Sequence, residues 1–142
     1  MMASIDGRID CAMTEQIDPS NAYYEALDQL ECPTTIKGRV TMQMHFALPD
    51  PFVAISSEPI GHEAFHKAAE GKPGYDVAID THGKLRWPAN EQNGQPLLVF
   101  ACEDCPKEYF DTLDKQGISW IAVGKEHIDL AKAVDMLNTV WR

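Results

Sequence analysis

The sequence predicts an α/β fold of three layers, in which helices cover both faces of a mostly parallel sheet. Segments 75–79, 97–101 and 119–123 are apolar at nearly every position, and helical patterns lie between and after them. A strand shows such a continuous apolar pattern when its sheet is covered on both faces, because both rows of its side chains are buried. Alternation of these strands with helices is typical of parallel sheets. A length of 142 residues corresponds to a single domain, 1–142.

The first third of the chain is predicted to contain two helices and one internal strand. Residues 1–5 are typical of the end of a strand, and a turn follows at Asp6. A helix is then predicted from the helical spacing of four apolar residues, Tyr23, Tyr24, Leu27 and Leu30. Pro33 follows this helix. A short buried strand from Thr34 runs through Gly38 into a helix over 40–48, which Pro49 ends.

The remainder is predicted to alternate strands and helices after a surface loop. In chain order the segments are the loop 52–59, a short helix 61–70, strands 75–80 and 97–101, a helix 106–116 closed by Gly117, a strand 119–123 and a last helix around Leu130 and Leu137. Ligands of such sheets bind at the carboxyl ends of the strands. The pairs expected at that edge are Gly38-Arg39, Asp80-Thr81, Ala101-Cys102 and Val123-Gly124.

The charge and the composition exclude several classes of partner. A formal net charge of −10 repels nucleic acid and anionic membranes, whereas a small phosphorylated ligand needs only local positive charge. No apolar run approaches the roughly 20 residues of a membrane span, and the first residues lack the pattern of a signal peptide. We therefore expect a cytoplasmic protein with reduced thiols; its cysteines are Cys11, Cys32, Cys102 and Cys105.

The junction of strand and helix at Gly38 is a candidate phosphate site. Glycine permits a tight turn and a close approach of the backbone to a ligand. The free N–H groups at the start of the following helix, with Arg39 and the Thr41 hydroxyl, would then bind an anion. The alternative is an ordinary strand-to-helix turn with an arginine facing solvent.

A second motif is His62-Glu63-Ala64-Phe65-His66, which matches the H-E-x-x-H pattern of zinc hydrolases. On a helix, the two histidines would lie one turn apart and bind the metal, and the glutamate would activate water. The extended form of this motif is missing, because Ala69 stands where a glycine is required. We therefore expect no metal here, and a zinc hydrolase stays as an alternative.

A third motif is Cys102-Glu103-Asp104-Cys105, at the junction of a strand and a helix. A helix N-terminus lowers the pKa of a thiol, so a site of thiol–disulfide exchange is one interpretation. The two acidic residues between the thiols oppose a thiolate, and no strand hairpin follows as in thioredoxins. Two small structural cysteines are the other interpretation.

Several segments together resemble the reductase domain of the bifunctional riboflavin-biosynthesis deaminase/reductases, a branch of the dihydrofolate reductase superfamily. The opening Ser4-Ile5-Asp6-Gly7-Arg8-Ile9 is similar to the family's Ser-x-Asp-Gly-Arg-Ile, and Gly38-Arg39-Val40-Thr41 is similar to its Gly-Arg-x-Thr. Further segments keep the family's order and spacing; they are 76–80, Gly83-Lys84-Leu85, 96–99, Gly117-Ile118 and Asp129-Leu130.

The resemblance implies a dihydrofolate reductase-like fold and hydride transfer from NADPH to a small pyrimidine- or pterin-like substrate. In the riboflavin pathway the acceptor is the ribose carbonyl carbon of a ribosylaminopyrimidine phosphate. Gly38, Arg39, Val40 and Thr41 would hold the phosphates of the cofactor, Asp80 and Thr81 would lie near its adenosine, and Gly124 would border the site. Ser4 and Asp6 would contact substrate. No catalytic proton donor is identified.

The chain departs from the family in two respects. It lacks a basic residue ahead of Ser4, and it ends at Arg142, before the family's Glu-Gly-Gly segment and its last strands. About the C-terminal third of such a domain is therefore expected to be missing. A sheet without those strands has an unpaired edge, which predicts a homodimer or a larger assembly. A non-catalytic nucleotide-binding remnant is the remaining alternative.

Overall fold

The computed structural model describes residues 22–140 of the chain. Ser4 and Asp6, with the predicted N-terminal strand and turn, lie outside these residues. The chain divides into two units at the boundary between Cys32 and Pro33. The prediction of one domain over 1–142 therefore stays a prediction.

Four helices and six strands make up the described part of the chain. In order they are α1 (Ala22–Gln29), β1 (Thr35–Gly38), α2 (Arg39–His45), β2 (Ala64–His66), β3 (Asp76–Ile79), β4 (Glu91–Gln92), β5 (Gln95–Ala101), α3 (Lys107–Gln116), β6 (Ser119–Ala122) and α4 (Leu130–Val140). Helix α1 belongs to the first unit and every other element to the second. None of these helices is long and apolar enough to cross a membrane.

The strands form a mostly parallel sheet in the order β1-β3-β5-β6-β2. The first four of these strands pair in parallel, whereas β2 runs antiparallel to β6 at one edge and β4 pairs antiparallel with β5. The register aligns Gly38, Ile79, Phe100 and Ile121 across the sheet. The predicted α/β class is confirmed, and the four parallel strands share one carboxyl edge.

Helices cover both faces of this sheet. Strand β5 is buried on both faces, with Leu97 and Val99 on one and Leu98 and Phe100 on the other. The first face packs against α2 and α3, and the second packs against α4 through Ala133. Complete burial of a Leu or Phe side chain contributes about 1.5–3 kcal/mol, so this central strand explains the continuous apolar pattern of 97–101.

The predicted helices over 106–116 and around Leu130 form as α3 and α4. Helix α3 ends as expected, because Gly117 adopts a left-handed φ of 68° and donates its N–H to the carbonyls of Leu113 and Asp114. This αL termination satisfies carbonyls that would otherwise lack donors.

Strand β1 and helix α2 differ from the prediction in burial and in length. Strand β1 lies at the sheet edge, where Ile36 is 49% exposed, so it is not a buried strand. Helix α2 ends at His45, earlier than the predicted Leu48. The N–H groups of Phe46 and Ala47 both bond to the Met42 carbonyl, which tightens the end of the helix before Pro49 is reached.

The helix predicted over 61–70 is wrong, because this segment contains strand β2. Phe65 pairs with Ile121 and His66 with Trp120 in the antiparallel register. The Ser119 hydroxyl then accepts hydrogen bonds from the N–H groups of Ala68 and Ala69, at 3.0 and 3.4 Å. Pairing with β6 is a tertiary interaction that outweighs the local helical pattern.

Candidate functional site

The carboxyl edge of the parallel sheet brings together the predicted cofactor residues that follow each strand. Gly38 ends β1, Asp80 follows β3, Cys102 follows β5 and Gly124 lies just beyond β6. Two hydrogen bonds connect neighbouring strand ends, from the Cys102 N–H to the Thr81 carbonyl at 3.2 Å and from the Glu103 N–H to the Gly124 carbonyl at 2.7 Å. The sequence therefore predicted correctly which segments meet at this edge.

Gly38 occupies the N-cap position of α2 in an extended conformation, with φ of −71° and ψ of 159°. Other residues adopt this conformation readily, so the expected tight glycine turn is wrong. A Cβ at Gly38 would meet no atom of the described residues within 4 Å. Among these residues, the space beside the Gly38 backbone is therefore open, as a closely approaching ligand requires.

The residues after Gly38 are exposed and available for contact. Arg39, Val40 and Thr41 all face solvent, and α2 has no side-chain cap on its first N–H groups. Within residues 22–140, the Arg39 guanidinium makes no hydrogen bond or ion pair. This segment presents a positive charge, a hydroxyl and backbone donors that no described residue engages, and together they suit a phosphate oxygen.

Asp80, which the sequence analysis placed near the adenosine, lies inside the protein at the turn that follows β3. Its side chain is fully buried, and Oδ2 accepts hydrogen bonds from the Lys84 N–H, the Leu85 N–H and the Tyr109 hydroxyl at 2.7, 2.7 and 2.8 Å. The other oxygen, Oδ1, is buried without a partner among the described residues. Asp80 therefore holds the turn after β3 against α3, and its role here is structural.

Tyr109 is the donor that joins this turn to α3. Burial raises its pKa well above the ordinary value, and the charge of Asp80 and the hydrogen bond to it act in the same direction. The indole of Trp87 lies close enough to the Tyr109 oxygen to oppose that rise in pKa. The phenol stays protonated at neutral pH and donates continuously to Asp80.

The Cys102 and Cys105 thiols are buried structural groups. Their sulfur atoms are 3.9 Å apart, and the Cys105 thiol donates to the Thr81 carbonyl at 2.9 Å. Burial raises the pKa of Cys105 far above its usual value, and the neighbouring Cys102 raises it further. A protonated, enclosed thiol is a poor nucleophile, so this geometry favours the structural interpretation over thiol–disulfide exchange.

Gly124 is explained by the packing of its own loop. It adopts a φ of +82°, and a Cβ would lie 2.1 Å from the His127 carbonyl oxygen and 2.8 Å from the Asp129 nitrogen. Its N–H donates to Glu103 Oε1 at 3.0 Å. The Glu103 carboxylate makes this side of the edge unfavourable for a phosphate. The sequence marks Glu103 only as an acidic residue between two thiols, because no local signal indicates its contact with Gly124.

The H-E-x-x-H motif does not form the helical zinc geometry. His62 and Glu63 precede β2 and His66 ends it, so the two histidines do not lie one helical turn apart. Glu63 pairs with Lys132, and the His66 ring stacks on Trp120. Across residues 22–140, no group of three His, Cys, Asp or Glu side chains is arranged to hold a metal ion.

The remaining site residue is Thr81, which is half-buried and contributes its carbonyl to the Cys102 and Cys105 contacts. Among the described residues, the edge thus contains the exposed segment 38–41 beside a structural cluster of buried groups. A scan against protein-family models found no match for the chain, and a search of curated proteins found none either.

Proposed function

We propose that the chain binds NADPH at the 38–41 segment and belongs to a reductase that transfers hydride to a pyrimidine- or pterin-like substrate. The observation that carries this proposal is the exposed Arg39 and Thr41 beside the open space at Gly38, at the carboxyl end of a parallel strand. The resemblance of the segment to the Gly-Arg-x-Thr element of riboflavin-biosynthesis reductases supports the same function.

The cofactor would supply the hydride, and the protein would hold and orient it. Arg39 would pair with a phosphate, the Thr41 hydroxyl would donate a hydrogen bond, and the first N–H groups of α2 would complete the contacts. NADPH carries an additional phosphate relative to NADH, so a site based on an exposed arginine favours NADPH.

Electrostatics limits where that phosphate can bind. The chain has a net charge of −10, and Glu103 lies beside Gly124 at the other end of the carboxyl edge. A phosphate near Gly124 would meet this carboxylate, whereas no carboxylate contacts Arg39 among residues 22–140. We therefore assign the phosphate contact to the β1–α2 junction alone.

Replacing Arg39 with alanine is expected to weaken NADPH binding by roughly ten- to a hundredfold, because a charge-assisted phosphate contact contributes about 1.5–3 kcal/mol. Isothermal titration calorimetry of the Arg39→Ala protein with NADPH measures this directly. Lys115→Ala is the matched control, since it removes one exposed positive charge from the last turn of α3. Equal affinity for NADPH in the wild type and Arg39→Ala would remove the basis of the proposal.

A nucleotide-binding protein without catalysis is the second candidate. Asp80 and Cys105, two of the ionisable groups at the edge, are buried and used in structural hydrogen bonds. Spectroscopic assay of NADPH oxidation with pyrimidine and pterin acceptors separates the two candidates. Binding without oxidation would favour the second candidate, and measurable turnover would favour the reductase.

We also propose that the chain forms a homodimer through the β1 edge. Strand β1 pairs only with β3 among the described strands, and Ile36 and Val40 beside this edge are 49% and 60% exposed. Unpaired backbone groups next to exposed apolar side chains favour association with a second strand.

Light scattering is expected to give twice the monomer mass, and Ile36→Lys should shift the mass toward the monomer. A monomer at all accessible concentrations would contradict this arrangement.

A cytoplasmic location completes the proposal. Cys32, Cys102 and Cys105 form no disulfide with one another, and the sulfur atoms of the last two are 3.9 Å apart, within a weak hydrogen bond. Free thiols at such proximity are typical of a reducing compartment.

A further inference from the structure

Strand β1 presents backbone hydrogen-bonding groups to the open edge of the sheet, where no described strand pairs with it. The Thr35 N–H donates to the Tyr75 carbonyl at 3.0 Å, so the backbone groups of Thr35 face β3. Successive residues of a strand direct these groups to opposite sides, and Ile36 and Gly38 therefore direct theirs away from β3. As the N-cap of α2, Gly38 turns its carbonyl into that helix, so only its N–H remains for the edge.

Ile36 also lines an apolar groove of about 320 Å³ beside this edge. It pairs with Val77 in the register, and Val77 lies in the core cluster under α4, so Ile36 is on the α4 face of the sheet. Val134 and Leu137 of α4 form the opposite wall of the groove. Ile36 and Val134 are both exposed. An apolar side chain from another molecule would be buried between them.

The charges along β1 favour an antiparallel arrangement of two copies over a parallel one. Residues 33–40 contain no acidic residue and two basic residues, Lys37 and Arg39. Two β1 strands in parallel would place each basic residue beside its counterpart, which is destabilising. Antiparallel pairing about Ile36 separates the two Arg39 residues along the strands by about 20 Å, because a strand rises about 3.4 Å per residue. This separation exceeds the Debye length of about 8 Å at physiological ionic strength.

We infer that a second copy of the chain fills this edge, with its β1 antiparallel to the first and Ile36 on the two-fold axis. Each Ile36 N–H donates to the Ile36 carbonyl of the other copy, and each Gly38 N–H donates to the Thr34 carbonyl of the other copy. The two Ile36 side chains meet between the two grooves, and the sheet continues through both copies. Thr34 of the second copy also borders the β1–α2 junction, so both copies surround the proposed phosphate site. The inference rests on the proposed homodimer and not on NADPH binding.

The neighbouring register, with Lys37 on the axis, is disfavoured for two reasons. It places the two Lys37 side chains directly opposite each other, and like charges in that position destabilise a pair of strands. It also requires each Ile36 N–H to donate to a Gly38 carbonyl, which α2 already uses. In the inferred register, Lys37 lies opposite Thr35 of the other copy, which is a neutral residue.

Disulfide cross-linking of the full chain tests this register. In a background with Cys11→Ser and Cys32→Ser, Ile36→Cys places two thiols directly opposite each other, with Cα atoms about 5.5 Å apart, within the range of a disulfide. Two thiols and one oxidised glutathione give the interchain disulfide and two reduced glutathiones, so most of the chain should run as a covalent dimer on a non-reducing gel. Val53→Cys, in an exposed loop, is the matched control for random collision and should stay mostly monomeric. Equal cross-linking of the two variants, or none in Ile36→Cys, would overturn the inference.

Amide hydrogen exchange of the ¹⁵N-labelled wild-type chain tests the same register without a substitution. The protection factors of the Ile36 and Gly38 N–H groups should exceed that of Val40 by roughly tenfold or more, because the Val40 N–H lies in the first turn of α2 and has no partner within the helix. In a dimer by light scattering, an unprotected Ile36 N–H would overturn the register and leave the homodimer standing. A monomer would overturn both, and the NADPH titration of Arg39→Ala would still test the phosphate site by itself.

Discussion

Asp80→Ala is expected to lower the free energy of unfolding by about 3–5 kcal/mol. The variant leaves three donors without their shared acceptor, namely the backbone N–H groups of Lys84 and Leu85 and the hydroxyl of Tyr109. Each buried donor that loses its partner costs about 1–3 kcal/mol, and these three lie in or beside the buried core. The loss is a large part of the 5–15 kcal/mol typical of a whole domain.

Urea unfolding monitored by circular dichroism measures this change, and Tyr109→Phe is the matched control. That variant removes one donor and leaves the two backbone hydrogen bonds to Asp80 intact, so a loss of about 1–2 kcal/mol is expected. The double variant should have nearly the same free energy of unfolding as Asp80→Ala, because both substitutions remove the same hydrogen bond. Adding Tyr109→Phe to Asp80→Ala should lower that free energy by only a fraction of what Tyr109→Phe costs in the wild type. A loss below 1 kcal/mol for Asp80→Ala would mean that the turn after β3 does not depend on this carboxylate.

The parallel core could be predicted from the sequence because it depends on local pattern. Strands β3, β5 and β6 are nearly all apolar, and this pattern reports burial on both faces. Helix α3 could be predicted for a similar reason, since its apolar spacing and Gly117 are local signals. These elements then determine which loops meet at the carboxyl edge of the sheet.

The errors concern elements whose structure depends on distant partners. Strand β2 is extended because β6 offers it an edge, and residues 64–66 and 120–122 are far apart in the chain. Strand β1 is exposed because it lies at the end of the strand order. Neither position in the sheet can be read from the segment itself.

In the candidate site, too, features that depend on local sequence could be predicted, and features that depend on distant partners could not. The exposed positions of Arg39 and Thr41 follow from the local junction of a strand and a helix, which the sequence predicts. The burial of Asp80 depends on Tyr109, 29 positions later, and the contact of Glu103 with Gly124 spans 21 positions. A residue at the end of a strand can therefore either contact a ligand or stabilise the fold. Only its tertiary contacts decide between these two roles.

Gly124→Ala is expected to destabilise the protein by about 3 kcal/mol or more, whereas Gly94→Ala should cost only about 1 kcal/mol. The two glycines have nearly the same φ, +82° and +78°, so the conformational strain of an added Cβ is similar in both. Their surroundings differ, because a Cβ at Gly124 would lie 2.1 Å from the His127 carbonyl oxygen, whereas a Cβ at Gly94 would meet no described atom within 4 Å.

Urea unfolding of both variants under identical conditions separates strain from steric overlap. The loop 124–129 must move to accept the new methyl group, and this movement would disturb the hydrogen bond from the Gly124 N–H to Glu103. The Arg39 segment lies at the other end of the carboxyl edge, so NADPH affinity should change little in the folded fraction of Gly124→Ala. Equal destabilisation by the two substitutions would show that the loop after β6 accommodates a side chain, and the glycine at 124 would then be available for a role in binding.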